Sequence, residues 1–235
     1  DLVALFGYYA VLNAGILAIA WFRAWRLLNL VGFAFTFGIA TVWGVLSYRP
    51  DLYASTEPFL VLFFLMYVAI PVLFSRPEEG SVERHLDTTL IFGVPLIGFG
   101  LQVALVREFA YGSAWSALAL GTFYLLLART LWSRRGEGQR LLVEAFLALG
   151  VVFTTLAIPL AFDGRWTSAA WAIEGAAMLW VGVRQQRLPP RLFGILLQFL
   201  AGAFYLYDLQ TASGDWPLLN SAFLGALLLA LAGLF

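Results

Sequence analysis

The sequence predicts an all-α, polytopic transmembrane helical bundle of about nine helices, and three observations carry that prediction. The 235 residues are 62% hydrophobic and only 12% charged, where a soluble domain carries about a quarter charged residues. The hydrophobic residues form unbroken runs of membrane-crossing length rather than alternating strand patterns. Arg residues recur in every second connection between those runs, the pattern of cytoplasmic loops.

Nine apolar segments follow one another along the chain, at 2–22, 27–48, 59–74, 86–106, 114–132, 141–162, 167–183, 192–207 and 218–235. Each is long enough to cross a hydrocarbon core of roughly 30 Å with some tilt, and in lipid only a helix satisfies its backbone within such a segment. The first carries Asn13, and the second opens behind Arg23 and Arg26 and holds Thr36 and Thr41. The third contains Pro71. The fourth starts at Asp87, suited to a helix N-terminus, and contains Pro95 and Gln102. Trp115 and Trp132 bound the fifth. The sixth opens after Arg140 and carries Thr154, Thr155 and Pro159, the seventh is centred on Glu174, and the eighth on Gln198. Each internal proline frees one carbonyl and favours a kink. The longest connections, 75–85 and 133–140, are too short for a soluble domain.

All 14 basic residues are Arg, and 11 of them fall in the odd-numbered connections, counting Arg129 at the end of the fifth segment with the connection it adjoins. Cationic loops stay on the cytoplasmic side, so the odd connections are expected inside and Asp1 outside. Trp21, Trp25, Trp132 and Trp180 adjoin the Arg-rich ends, and Trp115, Trp166 and Trp216 mark the opposite ends, as interfacial anchors do. Arg26-Leu27-Leu28 recurs as Arg140-Leu141-Leu142. Phe92-Gly93 with Gln102 recurs as Phe193-Gly194 with Gln198, which suggests a four-helix parallel repeat. No Met opens the chain and its last residues lie within an apolar run. The expectation is a single transmembrane domain, 1–235, within a longer multi-pass protein whose remaining helices are its partners.

Polar groups at membrane depth are the candidate sites. Glu174 lies seven residues past Thr167 and ten before Arg184, about 10 Å and 15 Å from the two ends at 1.5 Å per residue. A carboxylate there is costly unless it is neutral, paired or hydrated. Ser168, Ala172 and Ala176 run along the same helix at four-residue spacing beside Gly175, a surface that lets a second helix backbone approach closely. The packing reading makes Glu174 a hydrogen-bonded tie between helices, with Gln102 or Gln198 as partner. The sharper reading makes it a proton-carrying or substrate-contacting group. Asn13, Thr36, Thr41, Thr154 and Thr155 read as interhelical hydrogen-bonding groups or as bonded to their own backbone. At the outer side, Asp163-Gly164-Arg165-Trp166-Thr167 forms a turn in which Thr167 or Ser168 is expected to cap the next helix. Asp163, Arg165 and Asp208 are the candidates there for holding a lipid-linked headgroup. His85 is the only histidine and there is no cysteine, so neither metal nor cofactor is expected. Zero net charge gives no reason to expect nucleic acid, and no phosphate loop, nucleophile elbow or paired-His helix is present.

The stretch 163–177, together with Ser55-Thr56-Glu57-Pro58-Phe59 and Leu147-Ala148-Leu149-Gly150-Val151-Val152-Phe153, resembles large bacterial multi-pass proteins grouped as domain of unknown function 2339. That resemblance spans essentially the whole chain. It implies a bacterial inner-membrane location and further helices, and it transfers no catalytic residue. Three classes of function are compatible with these residues: a structural or assembly component of the envelope, a small-solute transporter using Glu174, and an enzyme acting on a lipid-linked substrate. They are ranked in that order. The partners expected are the lipid bilayer and other membrane proteins.

Overall fold

A computed structural model describes residues 2–22, 26–74, 81–134, 140–161, 164–184, 186 and 188–209. Among them are eight α-helices: α1 (Leu2–Phe22), α2 (Arg26–Ser47), α3 (Tyr53–Phe74), α4 (Ser81–Leu105), α5 (Gly112–Arg134), α6 (Arg140–Ala161), α7 (Gly164–Arg184) and α8 (Leu188–Leu209). They correspond one for one to the first eight expected segments. The ninth, 218–235, lies outside the described residues.

The helix ends differ from the apolar runs in a consistent way. α3 begins at Tyr53, following a 3₁₀ turn at Pro50–Leu52, and runs through Pro58. α4 starts at Ser81, so the expected loop 75–85 is partly helical. α8 starts at Leu188, with Pro189 and Pro190 in its first turn, where a missing N–H costs nothing. Hydropathy marks where a helix meets lipid; the backbone carries the helix on through polar and proline residues beyond it. The same distinction separates the helices by composition. Among the described residues, six regions are long and apolar enough to cross a membrane: Leu2–Ile19, Leu27–Ser47, Pro50–Leu73, Gly112–Ser133, Leu142–Ala161 and Leu188–Tyr207. In α4 the apolar part, Thr89–Leu105, is shorter. In α7, Glu174 and a run of small residues lower the apolar character.

The chain divides into two compact units, 1–154 and 155–235. In the first, α1 packs on α2 and α3, α4 packs on α2, α3 and α5, and α5 meets α6. Its core is aromatic. Phe33, Phe37 and Tyr67 contact one another edge-on or tilted with centroids 5.0–5.8 Å apart, a favourable geometry for ring quadrupoles. Tyr124 is fully buried among Phe64, Phe146 and Phe153. In the second unit α7 and α8 pack along each other, with Trp171, Ala172, Leu197 and Ala201 at the centre. Trp115, Trp132 and Trp180 all have exposed rings, as lipid-interface anchors require.

Candidate functional site

Polar side chains gather at three places, and the best defined spans three helices of the first unit. Asn13 donates to Thr36 Oγ1 at 2.9 Å and to the Tyr9 carbonyl at 2.9 Å, while its own Oδ1 accepts from the Thr36 and Tyr67 hydroxyls. All three side chains are buried, and each member satisfies another where no water is at hand. The expectation that Asn13 and Thr36 tie helices together is met. Tyr67 is the member that sequence reading missed, since an aromatic in an apolar run carries no polar signal. The other threonines sort as expected: Thr41 and Thr154 donate to Phe37 and Gly150 one turn back on their own helices.

The second place is the middle of α7. Glu174 stands at the centre of Gly164–Arg184 and is half-buried. Its Oε1 accepts the Thr155 hydroxyl, and Trp171 Nε1 donates to the Thr155 carbonyl at 3.3 Å. Thr155 is therefore held at both its hydroxyl and its carbonyl by α7. Gln198, at the middle of α8, donates to the Ala172 carbonyl at 2.9 Å. The small face of α7 receives α8 at backbone distance. A methyl group built on Gly175 would lie 2.9 Å from the Gly194 carbonyl oxygen, and one on Gly194 would lie 2.6 Å from the Gly175 carbonyl oxygen. Farther along, Arg191 Nε donates to the Gly182 carbonyl at 2.9 Å, and one of its terminal nitrogens donates to Gln186 Oε1 at 2.9 Å. This closes the C-terminal end of α7, where carbonyls lack helical partners and a cation meets the negative end of the dipole. Gln186, with φ 54°, turns the chain in the left-handed region there.

The third place joins α3, α4 and α5 in the first unit. Gln102 Nε2 donates to Glu57 Oε1 at 2.8 Å and lies 3.3 Å from Ser116 Oγ. Tyr53, one turn before Glu57 on α3, lines the same space. Glu57 Oε2 is buried and has no hydrogen-bond partner among the described residues. These groups stand one turn inside α3 and one turn before the end of α4. They line a cavity of about 490 Å³ whose deeper wall includes Phe64, Phe99 and Phe123. A separate cavity of about 590 Å³ is lined by Phe6, Trp43, Tyr48, Thr56 and Arg107. Beside it the Tyr48 hydroxyl donates to the Leu105 carbonyl at 2.9 Å. Tyr48, just past the end of α2, has its phenol pushed above the ordinary value, first by burial and then by Glu108.

Of the site residues expected from sequence, Gln102 lies in the first unit with Glu57, and Glu174 and Gln198 lie in the second on facing helices. Asp163 lies outside the described residues, as do the side chains of Arg165 and Asp208. One expectation is corrected. Thr167 and Ser168 do not sit at the N-cap of α7, because the helix already begins at Gly164, and both are buried within its first turns. Glycine and Arg165-Trp166 take helical conformation where a turn was expected. Glu57 was visible in sequence only as part of a family resemblance, since a carboxylate beside Pro58 near a segment end reads as an interfacial charge.

The family described as predicted membrane protein (DUF2339) matches residues 1–235. No curated protein and no solved structure matches the chain.

Proposed function

We propose that this chain, which belongs to the predicted membrane protein family DUF2339, is a structural or assembly component of a bacterial inner membrane. The observation that supports this reading is the seam between α7 and α8. Two helices that meet at Gly175 and Gly194 with backbone atoms in contact form a stiff pair, because lipid offers no hydrophobic drive and close packing supplies the association. The most costly polar group on that pair, Glu174, is engaged by Thr155. Stiff, internally satisfied helices suit a scaffold against which other membrane proteins pack. In this reading the Arg-rich odd connections face the cytoplasm and Asp1 the outer side, with the bilayer and neighbouring membrane proteins as partners. Single cysteines at Ser133 and Ser213 should then label from opposite faces of the membrane, Ser133 from the cytoplasm. Labelling from one face removes the assigned topology.

The transporter alternative rests on the same residue, since a central half-buried carboxyl can also exchange a proton. Glu174→Gln separates the two. The Gln carbonyl oxygen accepts the Thr155 hydroxyl as the carboxyl does, but it does not titrate. Under the assembly reading the Gln variant folds and restores a deletion strain to near wild-type behaviour. Glu174→Leu leaves the Thr155 hydroxyl without its acceptor and lowers stability by about 1 kcal/mol. A Gln variant that folds normally yet fails to restore function replaces assembly with proton or substrate chemistry at Glu174.

A further inference from the structure

The Glu57 cavity has a polar mouth and an apolar floor. Glu57, Gln102 and Ser116 stand near the helix ends, while Phe64 lies seven residues deeper on α3, about 10 Å along the axis. That layout follows the two halves of an amphiphile, and about 490 Å³ falls in the range of small-molecule sites. The charge at the mouth is one-sided. Glu57 supplies a carboxyl oxygen with no partner, and no Arg or His lines the cavity, both among the described residues. Arg107 lines the separate second cavity. Tyr53, Phe109 and Trp115 also line the cavity, and the last two are exposed. A carboxyl oxygen lacking a donor, in a lining that also carries aromatic residues, matches a cation that donates hydrogen bonds. An anionic headgroup would meet Glu57 unfavourably.

We infer that this cavity binds an organic ammonium attached to an apolar chain, with the ammonium on Glu57 and the chain against Phe64, Phe99 and Phe123. Two sources share this chemistry: the primary ammonium of an aminolipid headgroup and a free long-chain amine.

The test uses the purified full chain in maltoside micelles and equilibrium dialysis of radiolabelled decylamine, with protein-free micelles subtracted and decanol as the neutral control. Glu57→Gln keeps size and the contact with Gln102 while removing the charge, and it should weaken decylamine binding at least about tenfold. Decanol should bind both proteins alike and weakly. Equal decylamine affinity in wild type and Glu57→Gln overturns the assignment, and so does decanol binding as tight as the amine. Trp115→Leu changes an exposed ring and keeps the test open if the Gln variant does not fold. It should cost roughly threefold in affinity, and no change there overturns the placement of the ammonium at the mouth. Phosphatidylethanolamine added to the micelles distinguishes the sources. Displacement of decylamine is the expected result and assigns the site to a lipid headgroup. Retained, Glu57-dependent decylamine binding without displacement overturns the lipid source and assigns the site to a free amine.

Discussion

α7 and α8 meet backbone to backbone, whereas α1 to α4 are held apart by rings and polar side chains. In the second unit Gly175, Gly182 and Gly194 remove the side chains that would separate two helices. In the first, Phe33, Phe37, Tyr67 and Phe64 set the spacing, and cavities of about 490 Å³ and 590 Å³ remain between helices. The difference teaches how a helical membrane protein divides stiffness from accessible space. Small residues give continuous contact and leave no room, while large rings touch well in pairs but fill an irregular volume incompletely. The first unit also uses the tight device where α5 meets α6. A methyl on Gly150 would lie 2.7 Å from Leu125 Cγ. The spacing is therefore set interface by interface.

The largest effect expected from this contrast is at Gly194. Gly194→Leu drives a branched side chain into the Gly175 carbonyl and the Leu179 nitrogen, 2.7 Å from where even its first carbon would stand. Backbone atoms cannot swing aside, so the seam must open, at about 3 kcal/mol. Unfolding of the purified protein by SDS in mixed micelles measures it. A loss below about 1 kcal/mol would show that α7 and α8 can part freely, which removes the contrast.

Next in size is the polar triangle that ties α1, α2 and α3. Asn13→Leu deletes the bonds to Thr36 and Tyr67 at once, and buried interhelical hydrogen bonds in membrane proteins are worth about 0.6–1.7 kcal/mol. The expected loss is about 1–2 kcal/mol, softened because the Thr36 and Tyr67 hydroxyls still lie 3.4 Å apart. A double mutant cycle of Asn13→Leu with Thr36→Val should show coupling, and strict additivity would refute the triangle. Arg191→Ala ranks third, at about 1 kcal/mol, since it uncaps the end of α7 while leaving the glycine seam intact.

Much of this was legible beforehand, for reasons that differ by residue. Segment positions were readable because lipid demands long apolar runs, and the small face of α7 was readable because Ser168, Ala172 and Ala176 recur at helical spacing. Asn13 and Thr36 announced themselves as polar atoms in apolar surroundings. Thr155 was placed among the hydrogen-bonding residues, but its pairing with Glu174 depends on how α6 approaches α7, which no periodicity encodes. Tyr67 and Glu57 were hidden for opposite reasons. An aromatic looks like core, and a carboxyl near a segment end looks like interface, so only the fold shows that one completes a network and the other lines a cavity. The early starts of α3, α4 and α7 were hidden because a helix outlasts its lipid contact.

The smallest expected effect gives the sharpest form of the comparison, because it reverses sign. Gly38 lies in α2 with nothing within 4 Å of an added methyl, while the same methyl on Gly194 in α8 meets the Gly175 carbonyl oxygen at 2.6 Å. Replacing Gly by Ala removes the same backbone freedom at both sites, a gain of up to about 1 kcal/mol in an aqueous helix. In SDS the unfolded chain keeps much of its helix, so the gain at Gly38 shrinks to a few tenths of a kcal/mol or so. At Gly194 that gain is outweighed by overpacking of about 1–3 kcal/mol. Propensity is common to the two variants and cancels in their difference, which then reports the seam contact alone. Gly38→Ala should be neutral or slightly stabilising and Gly194→Ala clearly destabilising in the same titration. If the two variants shift stability equally, glycine at the α7–α8 seam is there for backbone flexibility, and the close approach of the two helices is not what holds them together.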